Sequence, residues 1–196
     1  KNLGIEQLAN LPYATMLVPL SVFFAHPDGS SVKLSDPQRK VLLRWFWKSC
    51  FSRRFSAGVL RNLKRDIDEC KRLRDGKSHA LADISATIEP EYFSDQKFTI
   101  GTVHTKTFIL MLTQSGPLSY VSGATVSLSH VLQAYNRNEF HHLMPQAYMR
   151  NCGYDNSEIG RLANFAVISA ADNKQLGGVA PSVYRAKMPP ASIPKI

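Results

Sequence analysis

The chain has 196 residues, 44% of them hydrophobic, a formal net charge of +9 and a sequence pI near 9.6. That length carries one or two domains with a sizeable core, and that hydrophobic share excludes a disordered chain. The positive excess points to a polyanionic partner, nucleic acid first and an acidic membrane surface second.

The chain opens on Lys1-Asn-Leu-Gly-Ile with no initiator Met and no visible signal peptide, and it reads as a piece excised from a longer protein. Residues 3 to 25 are strongly apolar, with Leu8, Leu11, Met16, Leu17, Val18, Leu20, Val22, Phe23 and Phe24. The run is too short for a membrane span and holds Pro12 and Pro19, so it predicts a buried helix kinked or restarted at a proline. His26 to Ser31 reads as a turn.

Asp36 as N-cap and Pro37 at the first helical position open the next helix, which carries Val41, Leu42, Trp45, Phe46, Cys50 and Phe51 at helical spacing. Arg53 and Arg54 close it. Ser56 is the expected cap of a further helix with a stripe of Val59, Leu60, Leu63, Ile67, Cys70 and Leu73, ended by Gly76. From Gln38 to Lys77 there are thirteen Lys or Arg against four Asp or Glu, so the whole formal excess sits in this pair. Arg61, Lys64 and Arg65 belong to a face that fits phosphate contact, with affinity that is salt-sensitive and indifferent to sequence. The same face fits a solvated amphipathic surface, and the two readings stay open.

Glu89-Pro90-Glu91 is a break. Thr105 to Gln114 predicts a buried helix ending at Ser115-Gly-Pro117, and Ser122-Gly123 a turn. Val126, Leu128 and Val131 follow in an extended pattern, and Asn136-Arg137-Asn138 is a turn. A division between a helical basic module, 1–122, and a second module, 123–196, is placed here. Beyond it, Gln146 to Asn151 reads as a short helix stopped by Cys152-Gly153, Asn164 to Ser169 as a strand, and Asp172 to Leu176 as the start of a helix broken at Gly177-Gly178. A last helix opens at Ala180-Pro-Ser182 and runs through Tyr184 to Lys187, before a proline-rich tail. Cys50, Cys70 and Cys152 are far apart, with no Cys-x-x-Cys to cage a zinc ion. His26, His79, His104 and His130 lie singly, without partners at ligand spacing.

Within the second module one stretch carries chemistry: Glu139-Phe-His-His-Leu-Met-Pro145, then Asn164-Phe-Ala-Val-Ile-Ser, then Ala171-Asp-Asn-Lys174. It resembles the HNH, or ββα-metal, nuclease motif, whose usual form is Asp-His-apolar-x-Pro, then Asn, then His or Asn nine residues on. The resemblance implies that His141 and Asn173 are metal ligands, His142 the general base, and Asn164 the residue that holds the loop so that His142 keeps its aim. Phosphodiester hydrolysis needs an activated water and something to hold charge on the departing 3′ oxygen, and imidazole and a divalent metal answer those needs. Pro145 suits a bend after the His pair. The usual first Asp is His141 here, as in colicin-type HNH nucleases. Nitrogen in place of a hard carboxylate leaves Mg or Mn as the expected metal and opens the site to Zn, Ni or Co.

The likeness extends further. Leu11-Pro-Tyr-Ala-Thr-Met-Leu-Val-Pro-Leu20, Gln38-Arg-Lys through Trp45-Phe-Trp, Tyr135-Asn-Arg-Asn-Glu-Phe-His-His-Leu-Met-Pro145 and Ala180-Pro-Ser-x-Tyr-Arg185 are similar to the C-terminal half of GmrSD-type restriction proteins. That family joins an N-terminal ParB-like, nucleotide-using domain to a C-terminal HNH nuclease. The Asp-Gly-Gln-Gln-Arg motif of the N-terminal domain is absent here. The resemblance implies an α+β chain, a mostly helical module followed by a small ββα-metal (HNH-like) module. It also implies metal-dependent DNA cleavage in a cytoplasmic bacterial restriction or anti-phage protein, with the ParB-like domain as partner and no membrane. Lys174, Arg185 and Lys187 could reach substrate phosphates or serve as ordinary surface cations. RNA as substrate is not excluded. A degenerate HNH fold that binds nucleic acid without cutting is the alternative.

Overall fold

A computed structural model describes residues 3, 5, 7–26, 28–30, 32–126, 140–168 and 170–190. Leu128, His130, Val131, the Asn136-Arg137-Asn138 turn, Glu139, Ser169 and the last part of the proline-rich tail lie outside them. Among the described residues helices alternate with irregular chain and one two-stranded antiparallel sheet, an α+β composition. The chain divides into two compact units, Pro12–Glu89 and Lys1–Leu11 with Pro90–Ile196. The break at Glu89-Pro90 thus coincides with the division, whereas the boundary expected near residue 122 falls inside the second unit.

Three helices build the unit Pro12–Glu89. Helix α1, Leu17–Phe24, follows a 3-10 turn over Ala14–Met16, and Pro19 sits in its first turn, where its missing N–H costs no helical hydrogen bond. Phe23 is fully buried, but Leu17, Val18 and Phe24 are 42–47% exposed, so the helix expected to be buried is buried on one side only. Helix α2, Asp36–Phe51, begins at Asp36, the residue read from sequence as its cap, one residue earlier than expected. Ser35 is its N-cap, in a capping box with Gln38, and Asp36 lies in the first turn.

Helix α3, Val59–Arg74, is capped by Gly58 at φ 60°, a left-handed conformation that glycine adopts without a Cβ penalty. Ser56 instead bonds the Tyr13 hydroxyl at 2.6 Å. The inward row of α3 is Asp66, Cys70 and Leu73, spaced i, i+4 and i+7, and Leu60 is 81% exposed. Asp66 is the polar centre of this unit: its carboxylate accepts from Trp45 Nε1 at 2.9 Å and from Arg54 Nε and Nη2 at 2.9 and 2.8 Å. A buried charge persists in a core only when paired and hydrogen-bonded in this way. Arg74 donates to the carbonyls of Val22 and Ala25, closing the C-terminal end of α1.

In the second unit, helix α4, Glu91–Ser94, precedes helix α5, Val103–Gln114, whose N-cap Thr102 accepts from the Thr105 N–H. Phe108, Ile109 and Leu110 are buried. The turn after α5 is closed by Ser119 N–H to the Ala124 carbonyl and by Gly123 at φ 71°. Strand β1, Phe140–His142, pairs antiparallel with β2, Phe165–Val167, in the register Phe140 to Val167, His141 to Ala166 and His142 to Phe165. Between them run helix α6, Gln146–Asn151, helix α7, Asn156–Ile159, and a 3-10 turn over Leu162–Asn164. Helix α8, Ala170–Leu176, follows β2, and helix α9, Pro181–Arg185, follows α8. The Phe98 ring stacks on Phe165 at 4.1 Å and tilts against Phe140 at 5.4 Å, covering one face of the hairpin. Tyr120, Ile168, Leu176, Tyr184 and Met188 form the core under α8 and α9.

Candidate functional site

The two strands are three residues long, so β1 ends at the second histidine and the chain turns away at once. Leu143 N–H still bonds the Asn164 carbonyl at 2.8 Å, one step past the ladder. Pro145, at φ −55°, then caps α6. Asn164 fixes the bend. Its Oδ1 accepts from Met144 N–H at 2.7 Å, and its Nδ2 donates to the carbonyls of Met144 and Ile159 at 3.2 and 3.0 Å. The side chain is buried and uses both ends of its amide, so it staples the loop after β1 to the chain entering β2.

One further tie holds the same loop, and another holds helix α8. Tyr184 of α9 donates its hydroxyl to the Leu143 carbonyl at 2.6 Å. Asp172 of α8 is buried, and its Oδ2 accepts from the Tyr120 N–H at 3.0 Å. Sequence reasoning took Asp172 only as part of a helix start and did not single out Tyr120. Nothing in a linear pattern links positions 52 apart.

These elements enclose a cleft of about 480 Å3 lined by His141, His142, Gln146, Asn173, Lys174, Tyr120 and Tyr184, among others. Both histidines and the second asparagine therefore open on one space, with Asn164 behind the wall rather than on it. Asn173 and Lys174 are exposed on α8. The Tyr120 hydroxyl is buried and has no hydrogen-bond partner among the described residues, although a buried polar atom ordinarily has one.

His142 lies 4.4 Å from the Phe165 ring, its partner in the ladder register, with the rings tilted at 44°. Burial pushes its imidazole below the ordinary histidine value of 6.5, with the charges of His141 and Arg150 adding in the same direction. The neutral ring is thereby favoured, the form that accepts a proton. Gln146 Nε2 stands 3.4 Å from each ring nitrogen, so it can donate to whichever of the two carries the lone pair of the neutral ring. Arg150 orients that amide by donating to Gln146 Oε1 at 3.1 Å. Gln146 and Arg150 were not anticipated from the sequence, whose only signal was a short helix after Pro145.

No group of three His, Cys, Asp or Glu side chains at metal-binding distance occurs among the described residues. The pair implied by the motif is one imidazole and one carboxamide, a sparser set that leaves most coordination positions to water and substrate oxygens, as hard divalent cations use them. Both residues line one cleft, where a ring nitrogen and an amide oxygen are the donors that the resemblance implies.

The cations expected at a nucleic-acid surface separate into two groups. Arg61, Lys64, Arg185 and Lys187 are exposed, as is Lys174 on the cleft. Arg65 is half-buried, with its guanidinium on the Ala80 carbonyl at 2.7 Å and on Asp66 at 3.3 Å, so part of its donor capacity holds the fold.

Comparison with known proteins adds little. No family model matches the chain. It is 22% identical over 181 residues to an uncharacterized protein of Methanocaldococcus jannaschii, an alignment covering 90% of this chain and 29% of that protein. The chain thus spans less than a third of that relative's length. No solved structure matches. Among the described residues no helix is long and apolar enough to cross a membrane.

Proposed function

We propose that the chain is the HNH-type, ββα-metal endonuclease portion of a longer cytoplasmic restriction or anti-phage protein, hydrolysing DNA phosphodiester bonds. One observation carries the reading: a hairpin, a following helix and a buried asparagine staple bring His141, His142 and Asn173 onto a single cleft. In it, His141 and Asn173 would hold a divalent cation, Mg or Mn first, which when bound would supply Lewis-acid charge. His142, kept neutral by burial, takes the proton from the attacking water. Asn164 fixes the backbone on which His142 is carried, and Tyr184 and Asp172 hold the loop and helix around it. Lys174, on the same wall, meets a phosphate oxygen of the bound strand.

Supercoiled plasmid incubated with the protein and Mg or Mn, with and without EDTA, tests this. EDTA-sensitive nicking is expected, and His142→Ala should slow it by about a hundredfold or more while DNA binding persists. A parallel reaction with single-stranded RNA separates the two nucleic acids. The rival reading, a nucleic-acid-binding domain on a degenerate HNH fold, draws on the lack of a three-residue acidic, histidine or cysteine cluster among the described residues. Binding without cutting under every divalent metal would establish that rival and sink the nuclease.

A further inference from the structure

A second concave surface lies in the Pro12–Glu89 unit, about 450 Å3 in volume, at the C-terminal end of α2 and the start of α3. Four arginines, Arg53, Arg54, Arg61 and Arg65, line it together with Asn62 and Asp83. Two of the four are locked in place. Arg54 grips Asp66 through two donors, and Arg65 spans Asp66 and the carbonyls of Ala80 and Asp83. Asn62 donates to the carbonyls of Arg54 and Ala57 and fixes the connecting turn. Arg53 and Arg61 stand at the rim, both exposed, and Arg53 also contributes to the surroundings of the Tyr13 hydroxyl.

Arg53 has a φ of 54°, and it is the one non-glycine residue with positive φ among the described residues. It occupies the left-handed position after α2, shown by the bond from Arg54 N–H to the Ser49 carbonyl, a place that favours glycine. An arginine there is strained, and strain that persists points to a side chain required at that spot. The charges do not cancel within the cleft. Four arginines line it against one acidic residue, Asp83, while Asp66, which Arg54 and Arg65 grip, is fully buried.

We propose that this cleft is a phosphate-binding site for a nucleic-acid backbone, with Arg53 and Arg61 as the groups that meet the phosphates and Arg54 and Arg65 as the fixed positive floor. The nature of the polymer rests on the proposed function above, but the site lies on different residues from the histidine cleft and its test reads binding alone. Planar guanidinium groups suit phosphate oxygens bidentately, and two such contacts add affinity that falls with salt.

The experiment measures fluorescence anisotropy of labelled duplex DNA with the full chain carrying His142→Ala, in EDTA, across a salt series. Arg53→Gly with Arg61→Ala should weaken binding about tenfold and reduce the slope of log affinity against log salt by about 2. Arg61→Glu, a single change at an exposed helical site, gives the same direction should the double variant fail to fold. Lys71→Ala with Arg72→Ala, exposed cations further along α3, should leave both quantities unchanged. Unaltered binding in Arg61→Glu, or an equal loss in the Lys71 and Arg72 variant, would overturn the site. A second arm titrates inorganic phosphate at constant ionic strength. Sub-millimolar phosphate binding that needs Arg61, with DNA affinity untouched by Arg61→Glu, would assign the cleft to a free phosphate compound and overturn the backbone reading. Arginine-dependent DNA binding in a protein that cuts under no metal would retain this site and reject the nuclease.

Discussion

Burial lowers the affinity of His142 for a proton in the folded chain, below the ordinary value of 6.5 that the unfolded chain keeps. As pH falls, the unfolded state therefore binds the proton first. The contribution of His142 to stability is complete above 6.5 and declines as the pH drops from there through the folded value. Proton NMR of the metal-free protein should show the His142 ring titrating below 6.5, and its removal in His142→Ala should flatten that part of the stability profile. A ring titrating above 6.5 would contradict the burial against Phe165. Asn164 acts at the same scale but through the backbone. Asn164→Ala leaves the Met144 N–H and the Ile159 carbonyl without their side-chain partner. A cost of about 2 kcal/mol in urea unfolding is expected, because a buried unsatisfied polar group costs about 1–3 kcal/mol. Nicking should fall further than that instability explains, since the loop carrying His142 loses its staple.

Helix α3 shows what an element adds to its residues. By pattern, Leu60 belongs to the apolar stripe, yet it lies on the solvent side, and Asp66 takes the inward row instead. Leu60→Gln should change stability by less than about 0.5 kcal/mol. Asp66→Ala should cost about 3–5 kcal/mol, because it strands the largely buried Arg54 guanidinium and the Trp45 N–H together. Equilibrium denaturation of the two variants, with an unchanged slope on denaturant, checks both. The contrast marks what was legible in the sequence. Helical spacing, prolines and glycines located α2, α3, α5, α6 and the hairpin's second strand to within a few residues, because those signals are local. The pairing of Asp66 with Trp45 and Arg54, or of Asp172 with Tyr120, is long-range and has no periodicity to betray it. The same limit applied at the cleft. The motif resemblance singled out His141, His142, Asn164 and Asn173, whereas Gln146, Arg150, Tyr120 and Tyr184 became visible only through their contacts.

At the scale of the whole chain, the division at Glu89-Pro90 has consequences that the boundary near residue 122 does not share. Residues 90 to 122 contribute structure that the histidine cleft uses. Phe98 stacks on Phe165 beneath the hairpin, its N–H bonds the Gly160 carbonyl at 2.8 Å, and Gln96 accepts from Leu162 N–H at 2.8 Å. Tyr120 donates its N–H to Asp172 and supplies part of the core under α8. Aromatic burial of this kind dominates the energetics of a small core, and the stacked pair adds about 0.5–1.5 kcal/mol beyond its area. A fragment spanning Pro12–Glu89 keeps its own core of Met16, Phe23, Trp45, Cys70 and Leu81 with the Asp66 network intact, so it should unfold cooperatively in urea. A fragment beginning at residue 123 loses Phe98, α5 and Tyr120 together and should show no cooperative transition and no dispersed amide spectrum. Cooperative folding of the second fragment, or its absence in the first, would move the division back toward residue 122. Each fragment also bears on function separately: the first retains the arginine cleft and should bind DNA with the salt slope assigned to Arg53 and Arg61, whereas cleavage should require the residues from Pro90 onward.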